Sequence, residues 1–529
     1  MNIKHEEQKQ SPEESDIHEK INFNMLQVRM VIKNKDLNME QKKKKLSDII
    51  VESLQKIWVF YKTKHLTFYF FDKIQKKIFK IKEQEFKFLL NQYFEVNGST
   101  DYYKYLIEEL SSYIAKNAEE VRIYDFSHYD IDANTLYIYN NGVKIIKITS
   151  DKIEEVENGY NGIIFETKSS SEEWNLVRTI NQTTSFEKVK EIIERVSYDV
   201  DSHVKKEDYA WMLENYIYAL FFPNILNTRP ILAFIGNKGS GKSFFLKLLL
   251  YIFYGKEASL SNLPSNDEEF KNSLMNNYLY FIDNLDDSIS KTKIDILCSV
   301  ATGIGIKKRV LYTDMTELNF KVNSFLAITS RTPKFKRVDL NERLLIIKLQ
   351  SLENYTSETE LFKKINRDEM MTCIVLNLRR LLKNIGKYQY HQTKFRIADF
   401  ANLLLNLGID DKTDTEIQQI LESFTREQEE FSLETDPLIE LLEKIIHKRT
   451  LFEKSLSFTA QELHQTLMLE SSETYPHGER IPYSIKSAIG LGKKLSEIQK
   501  GLSHRFDFKI EKWSSNIKKY IFGQEKIEK

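Results

Sequence analysis

Apolar residues recur at helical spacing through Ile21, Met25, Val28 and Val31, then give way to aromatic and β-branched runs, Leu66 to Phe71 and Ile78 to Ile81. Helical spacing returns up to about residue 116, and 121–165 is strand-rich again. There Thr135-Leu136-Tyr137-Ile138-Tyr139 alternates, breaks at Asn140-Asn141-Gly142, and resumes over 143–148. Asn-Gly between two such runs predicts a hairpin. A polar stretch, 168–173, closes this first, mixed helix-and-strand portion.

The second half reads differently. Helical patterns over 186–196 and 209–222 are followed by Pro223 and Pro230, which punctuate the entry to a short apolar strand, Ile231 to Ile235. Further apolar strands are predicted at 278–282, 324–328 and 344–349, with a hairpin over 306–322 set among them. Helices are then expected over 360–385, 397–407 and 411–431. Near the C-terminus Thr459 and Glu462 form a capping box at the start of a helix. A longer helix, 484–502, and two strands, 506–510 and 518–522, follow it. No repeat of fixed period is visible.

Length changes this picture by dividing it: 529 residues exceed one core, and about 150 residues per domain gives roughly three or four units. Charge excludes a global electrostatic partner, because 77 basic residues balance 77 acidic ones and any nucleic-acid contact must be local. The block Lys42 to Lys45 reads as a solvated helix face. Cys298 and Cys373 lack metal-ligand spacing, so they are expected as small buried residues in a reducing compartment. No apolar segment approaches the roughly 20 residues of a membrane helix, and the polar N-terminus lacks a signal-peptide pattern. A cytoplasmic protein without a membrane partner is expected.

Candidate chemistry begins where the 231–235 strand ends. Gly236-Asn237-Lys238-Gly239-Ser240-Gly241-Lys242-Ser243 is GxxxxGKS, and Phe244 to Leu250 is a helix pattern. Strand, glycine loop and helix in that order cradle phosphates: backbone N–H groups turn inward, Lys242 reaches the oxygens, and the Ser243 hydroxyl takes Mg²⁺. ATP and Mg²⁺ are therefore the expected ligands. Downstream, the apolar run 278–282 ends in Asp283-Asn284, which places Asp283 to hold the metal. Asn284 stands where many such sites carry Glu, and it can orient a water without accepting its proton, which leaves Asp286 and Asp287 as the candidate substitutes. The strand at 324–328 ends in Thr329-Ser330, a polar pair suited to positioning that water. Arg337 and Arg343 then precede the 344–349 strand.

This order of phosphate loop, acidic strand end, hairpin, polar strand end and arginine resembles the AAA+ ATPases. Within them the chain is similar to the self-loading replicative helicases and initiators of phages, plasmids and staphylococcal pathogenicity or cassette islands, relatives of MCM and superfamily-3 helicases. The resemblance implies a ring, usually a hexamer, with ATP sites between subunits. Arg343 matches the finger that reaches a neighbour's γ-phosphate, with Arg337 in reserve, and Arg396 matches a second sensor. It also turns the 307–322 hairpin toward single-stranded DNA in a central pore. Asp314 and Glu317 disfavour phosphate there, leaving Lys307, Lys308, Arg309 or Lys321 to make the contact.

The C-terminal pattern of helix, basic helix and hairpin is the winged-helix order. Lys486, Lys493, Lys494 and Lys500 are its candidate duplex contacts. The expected class is multidomain α/β. Its segments are a disordered tail (1–20), an α+β accessory domain (21–185), an AAA+ P-loop core with a helical lid (186–395), a helical connector (396–436) and a winged-helix domain (437–529). The expected function is an ATP-dependent DNA helicase and replication initiator of a mobile element in a bacterial host. An initiator or regulator whose ATPase only switches assembly, or a remodeller of proteins, are the alternatives.

Overall fold

A computed structural model describes residues 26–523 apart from 74, 99, 169, 181–183, 287–288, 310–316, 321, 332–336, 387, 409–411, 435, 451–454, 475–484 and 514–516. The expected tail, 1–20, lies outside the described residues. The chain is multidomain α/β and divides into two compact units, one of residues 1–178 with 253–257, the other of 179–252 with 258–529.

In the first unit a four-stranded sheet runs in the order Lys77–Lys80, Phe68–Asp72, Trp58–Lys62, Glu119–Glu120. Helices Met39–Ile57, Gln84–Phe94 and Asp101–Asn117 cover it through Leu54, Phe86, Leu106 and Leu110, all buried with Phe70 in one core. The alternating segment of the sequence becomes an antiparallel meander, Ser127–Asp130, Thr135–Tyr139, Lys144–Ile148 and Ile153–Glu157.

The second unit is built on a parallel sheet in the order Leu279–Ile282, Phe325–Ser330, Ile231–Gly236, Leu344–Leu349. Residues of both parities are buried along each strand, Ala233 and Phe234 alike at 0% exposure, because a parallel sheet with helical crossovers is covered on both faces. All four strands point their carboxyl ends the same way, the edge at which such sheets place ligands. A separate two-stranded hairpin pairs Ile306–Arg309 with Glu317–Phe320, Lys307 opposite Asn319 and Lys308 opposite Leu318. Lys321 lies outside the described residues.

The sequence pattern misplaces some helix ends, each for a local reason. The helix expected over 360–385 is two, Glu358–Lys363 and Arg367–Ile385, because the Asn366 side chain accepts the Glu369 N–H and starts a new helix. The helix expected over 484–502 is also two, Ala488–Glu497 and Gln499–Phe506. They meet at Ile498, where the turn keeps Leu495, Ile498 and Leu502 in one buried cluster. Phe506 ends a helix rather than starting a strand, since Asp507 adopts a left-handed conformation (φ 45°) that terminates it. The strand therefore begins at Lys509. Thr459 and Glu462 cap each other reciprocally, at 2.7 and 3.3 Å, as the pattern predicts.

The helix Asp414–Glu434 ties the C-terminal segment to the sheet. Gln428 donates to the Leu344 carbonyl (2.6 Å), Asn341 donates to Ser432 (2.9 Å), and Phe431 joins the sheet's core. Beneath it Lys348 Nζ lies 2.7 Å from Glu427 Oε1 and 3.1 Å from Glu434, with the Glu427 side chain fully buried. Glu427 also accepts the His203 N–H at 3.1 Å. Glu427→Ala removes the buried partner of a largely buried ammonium and leaves it only the partly exposed Glu434, and the expected loss is about 2 kcal/mol of stability. A urea midpoint indistinguishable from wild type would contradict this.

Candidate functional site

The glycine loop sits at the carboxyl edge of the parallel sheet, between the strand Ile231–Gly236 and the helix Lys242–Tyr254. Gly236 is required by contact, because a Cβ there would lie 2.2 Å from the Leu349 carbonyl oxygen of the adjoining strand. Gly239 and Gly241 have φ of 81° and 83°, which turns successive N–H groups to one side of the loop.

Lys242 Nζ closes over this turn, donating to the carbonyls of Gly236 (2.6 Å) and Asn237 (2.8 Å) and to Ser240 Oγ (3.1 Å). Burial lowers its pKa, and Arg331 adds to the effect, against the pull of Asp286 and Asp283. Ser243 Oγ donates to Asp283 Oδ1 at 2.7 Å, so the loop hydroxyl and the strand-end carboxylate meet. Thr329 Oγ1 donates to the same carboxylate oxygen and accepts the Asn284 N–H at 2.9 Å. Asn284 is held in a left-handed conformation (φ 55°), exposed, beside Asp283. A hydroxyl and a carboxylate, both hard oxygen donors, suit Mg²⁺.

Ser330 Oγ is 2.8 Å from Asp286 and 3.0 Å from the Leu285 carbonyl, so it faces Asp286, whereas Thr329 faces Asp283. A cavity of about 880 Å³ opens over the loop, and Lys242, Ser243, Asn284, Asp286 and Arg331 line it together with Arg195 and Tyr355. Asp286 is one of the two carboxylates the sequence offers in place of the missing Glu, and the other, Asp287, lies outside the described residues; Arg331 does not stand among the residues the motif picks out for this site.

Three arginines named from the sequence lie elsewhere. Arg343 has a side chain 12% exposed and donates to the Asp339 carbonyl, with Asp339 Oδ2 at 4.0 Å. Arg337 bridges Asp295 and Asp339. Arg396 donates to Glu342 at 2.5 Å and does not line the cavity.

Of the C-terminal lysines, Lys486, Lys493 and Lys500 are exposed. Lys494 is turned inward: its side chain is 12% exposed and pairs with Asp436 at 2.9 Å, which removes it from the surface the periodicity assigns it to. A second basic feature lies on the hairpin Lys509–Lys512 and Lys518–Phe522. Lys512 is directly opposite Lys518, a like-charge pairing that destabilises a hairpin unless an anion relieves it. Beside them Trp513 is 62% exposed, with Lys519 Nζ 4.1 Å from its ring centroid. Lysines interleaved with aromatics in a short hairpin are the signal that marks this feature in sequence.

Sheet order, glycine loop and acidic strand end thus bring a lysine, a hydroxyl and a carboxylate together at the carboxyl edge of a parallel α/β sheet. Residues 210–422 match the family model described as the actinomycete integrative conjugative element replication protein, AICE_RepA. No curated protein matches the chain. Among solved structures, an apo form of the NrS-1 C-terminal region is 12% identical, covers 89% of this chain and 98% of its own, and has a TM-score of 0.38. A full-length MCM homolog from Methanopyrus kandleri is 10% identical, covers 57% of this chain and 74% of its own, at a TM-score of 0.27. TM-scores below 0.5 are too low for these likenesses to bear on function. Among the described residues no helix is long and apolar enough to cross a membrane.

Proposed function

We propose that the chain is an ATP-dependent DNA helicase and replication initiator of a mobile genetic element, acting as a ring with ATP sites between subunits. The observation that carries this reading is the meeting of Ser243 and Asp283 at 2.7 Å beside a glycine loop on the carboxyl edge of a parallel sheet. The match of 210–422 to a replication-protein family supports DNA as the object of the nucleotide cycle. In this reading the AAA+ core is the second unit's sheet with its helices, the 306–320 hairpin meets single-stranded DNA, and the segment from 437 is a winged helix that meets duplex.

Bound Mg²⁺ would be held by Ser243 and Asp283 and would neutralise charge on the transferring phosphoryl group. The chain's own residues do the rest: loop N–H groups and Lys242 orient the phosphates, Thr329 fixes Asp283, and Asn284 orients water without taking its proton. That last point favours slow turnover, and with it the second reading, an initiator whose ATPase only switches assembly. Strand displacement on forks carrying each tail polarity separates the two. Unwinding with either tail supports the helicase; ATP-dependent DNA binding without unwinding overturns it in favour of the switch.

The hairpin supplies its own probe. Of the four tryptophans, Trp58, Trp174 and Trp211 are 2%, 1% and 3% exposed, against 62% for Trp513. Duplex binding is expected to quench the accessible part of the emission, and Trp513→Phe to remove that response. Lys512→Glu with Lys518→Glu should weaken binding roughly tenfold at matched salt. Emission unchanged at saturating DNA would rule the hairpin out.

A further inference from the structure

We propose that Arg331 is a cis-acting cation for the terminal phosphate of a bound nucleoside triphosphate, and that Asp286 is the positioning residue that holds it. The proposal rests on the reading of 236–243 as a phosphate loop. It gives Arg331 the part that the family resemblance assigns to Arg396.

Position comes first. Arg331 is the residue immediately after the strand Phe325–Ser330, which lies between the phosphate-loop strand and the strand that leads to Asp283. Its Cα is therefore fixed at the sheet edge where the loop and the metal carboxylate converge. The side chain is 59% exposed and lines the same cavity as Lys242 and Ser243. Arg396 is committed to Glu342 and does not line that cavity.

The way Arg331 is held matters as much. Its backbone N–H donates to Asp286 Oδ1 at 2.6 Å and its Nε to Oδ2 at 2.9 Å, while Ser330 Oγ approaches Oδ1 at 2.8 Å. Both carboxylate oxygens are thus spent on the inner part of the arginine. Among the described residues, its two terminal nitrogens bond to nothing. A guanidinium gripped by its Nε presents that outer pair as a fork, the geometry that takes two oxygens of one phosphate.

Asp286 also solves an electrostatic difficulty, since Lys242 and Arg331 face one cavity and repel when no phosphate is bound. Partial burial raises the Asp286 pKa, but the bonds from Arg331 and Ser330 outweigh it and hold it at about 2. Both of its oxygens are taken up by Arg331 and Ser330, so its work is to aim a cation rather than to stand in for the Glu that Asn284 replaces.

The experiment is a titration of the full-length protein with ADP and with the non-hydrolysable β,γ-imido analogue of ATP. It is run for wild type, Arg331→Ala, Arg331→Lys and Asp286→Asn, each checked for a wild-type melting profile. Arg331→Ala should weaken the triphosphate analogue roughly 10- to 100-fold, the worth of hydrogen bonds to a charged group, and leave ADP unchanged. Arg331→Lys should recover part of the loss. Asp286→Asn should lie between, because the fork remains but is no longer gripped. An unchanged triphosphate-to-diphosphate ratio in Arg331→Ala overturns the proposal alone. A wild-type chain that binds neither nucleotide overturns the phosphate-loop reading and this one with it.

Discussion

Lys242→Ala is expected to abolish ATP hydrolysis and any unwinding while leaving the fold intact. The ammonium contributes twice. It holds the Gly236 and Asn237 carbonyls and Ser240 within 3.1 Å, bracing the turn. With nucleotide bound, its charge reaches the phosphate oxygens. Neither contribution belongs to the apolar core, which is formed by strand residues such as Ala233, Ile282, Ile328 and Ile346. The variant should melt like wild type, bind ATP weakly and show no turnover above background. Retained turnover at wild-type stability would refute the nucleotide-site assignment itself.

Much of this site is legible in sequence because its chemistry needs neighbours in the chain. A loop that wraps phosphate uses successive backbone N–H groups, so its glycines, lysine and serine must be contiguous. Asp283 is legible because it ends an apolar run, the pattern of a buried strand delivering a polar residue to the sheet edge. Arg331 carries no such mark, and Asp286 is marked only by its nearness to Asp283: the two are 45 residues apart and meet only through the parallel pairing of Leu279–Ile282 with Phe325–Ser330. Lys494 fails for the opposite reason. Its helical position predicts a solvated face, but Asp436 reaches it from another element and draws it inward. Helix breaks at Ile498 and Asn366 are invisible to apolar spacing, because the residues on either side keep nearly the same face.

The same tertiary pairing bears on the connector. Residues 411–431 read in sequence as a charged helical connector, yet in the helix Asp414–Glu434 Phe431 is 2% exposed in the core of the sheet and Leu433 is 1% exposed in the core of the C-terminal segment. One helix thus enters two cores. It lies against the Leu344 carbonyl and Asn341, which flank Arg343. The Arg343 carbonyl in turn accepts the Ile231 N–H at 3.0 Å, so a hydrogen-bonded path runs from this helix to the start of the strand Ile231–Gly236.

Arg343→Ala is the second large effect. As a finger across a subunit boundary, Arg343 would supply roughly 10³ to 10⁵ in hydrolysis and little in ATP binding. Within one chain its side chain is mostly covered and bonded to the Asp339 carbonyl, so a purely bracing role for the turn Val338–Asn341 makes a different forecast. A brace, when removed, lowers the melting temperature and weakens ATP binding together; a finger, when removed, spares both and stops turnover. Mixing decides the matter directly. Combined with Lys242→Ala subunits, Arg343→Ala subunits should regain some hydrolysis, since a fraction of interfaces then pairs an intact loop with an intact arginine. Mixed assemblies that form yet stay inactive would show that Arg343 does not act in trans, and Arg337, 32% exposed and held by two carboxylates on the same turn, would be the next residue to test.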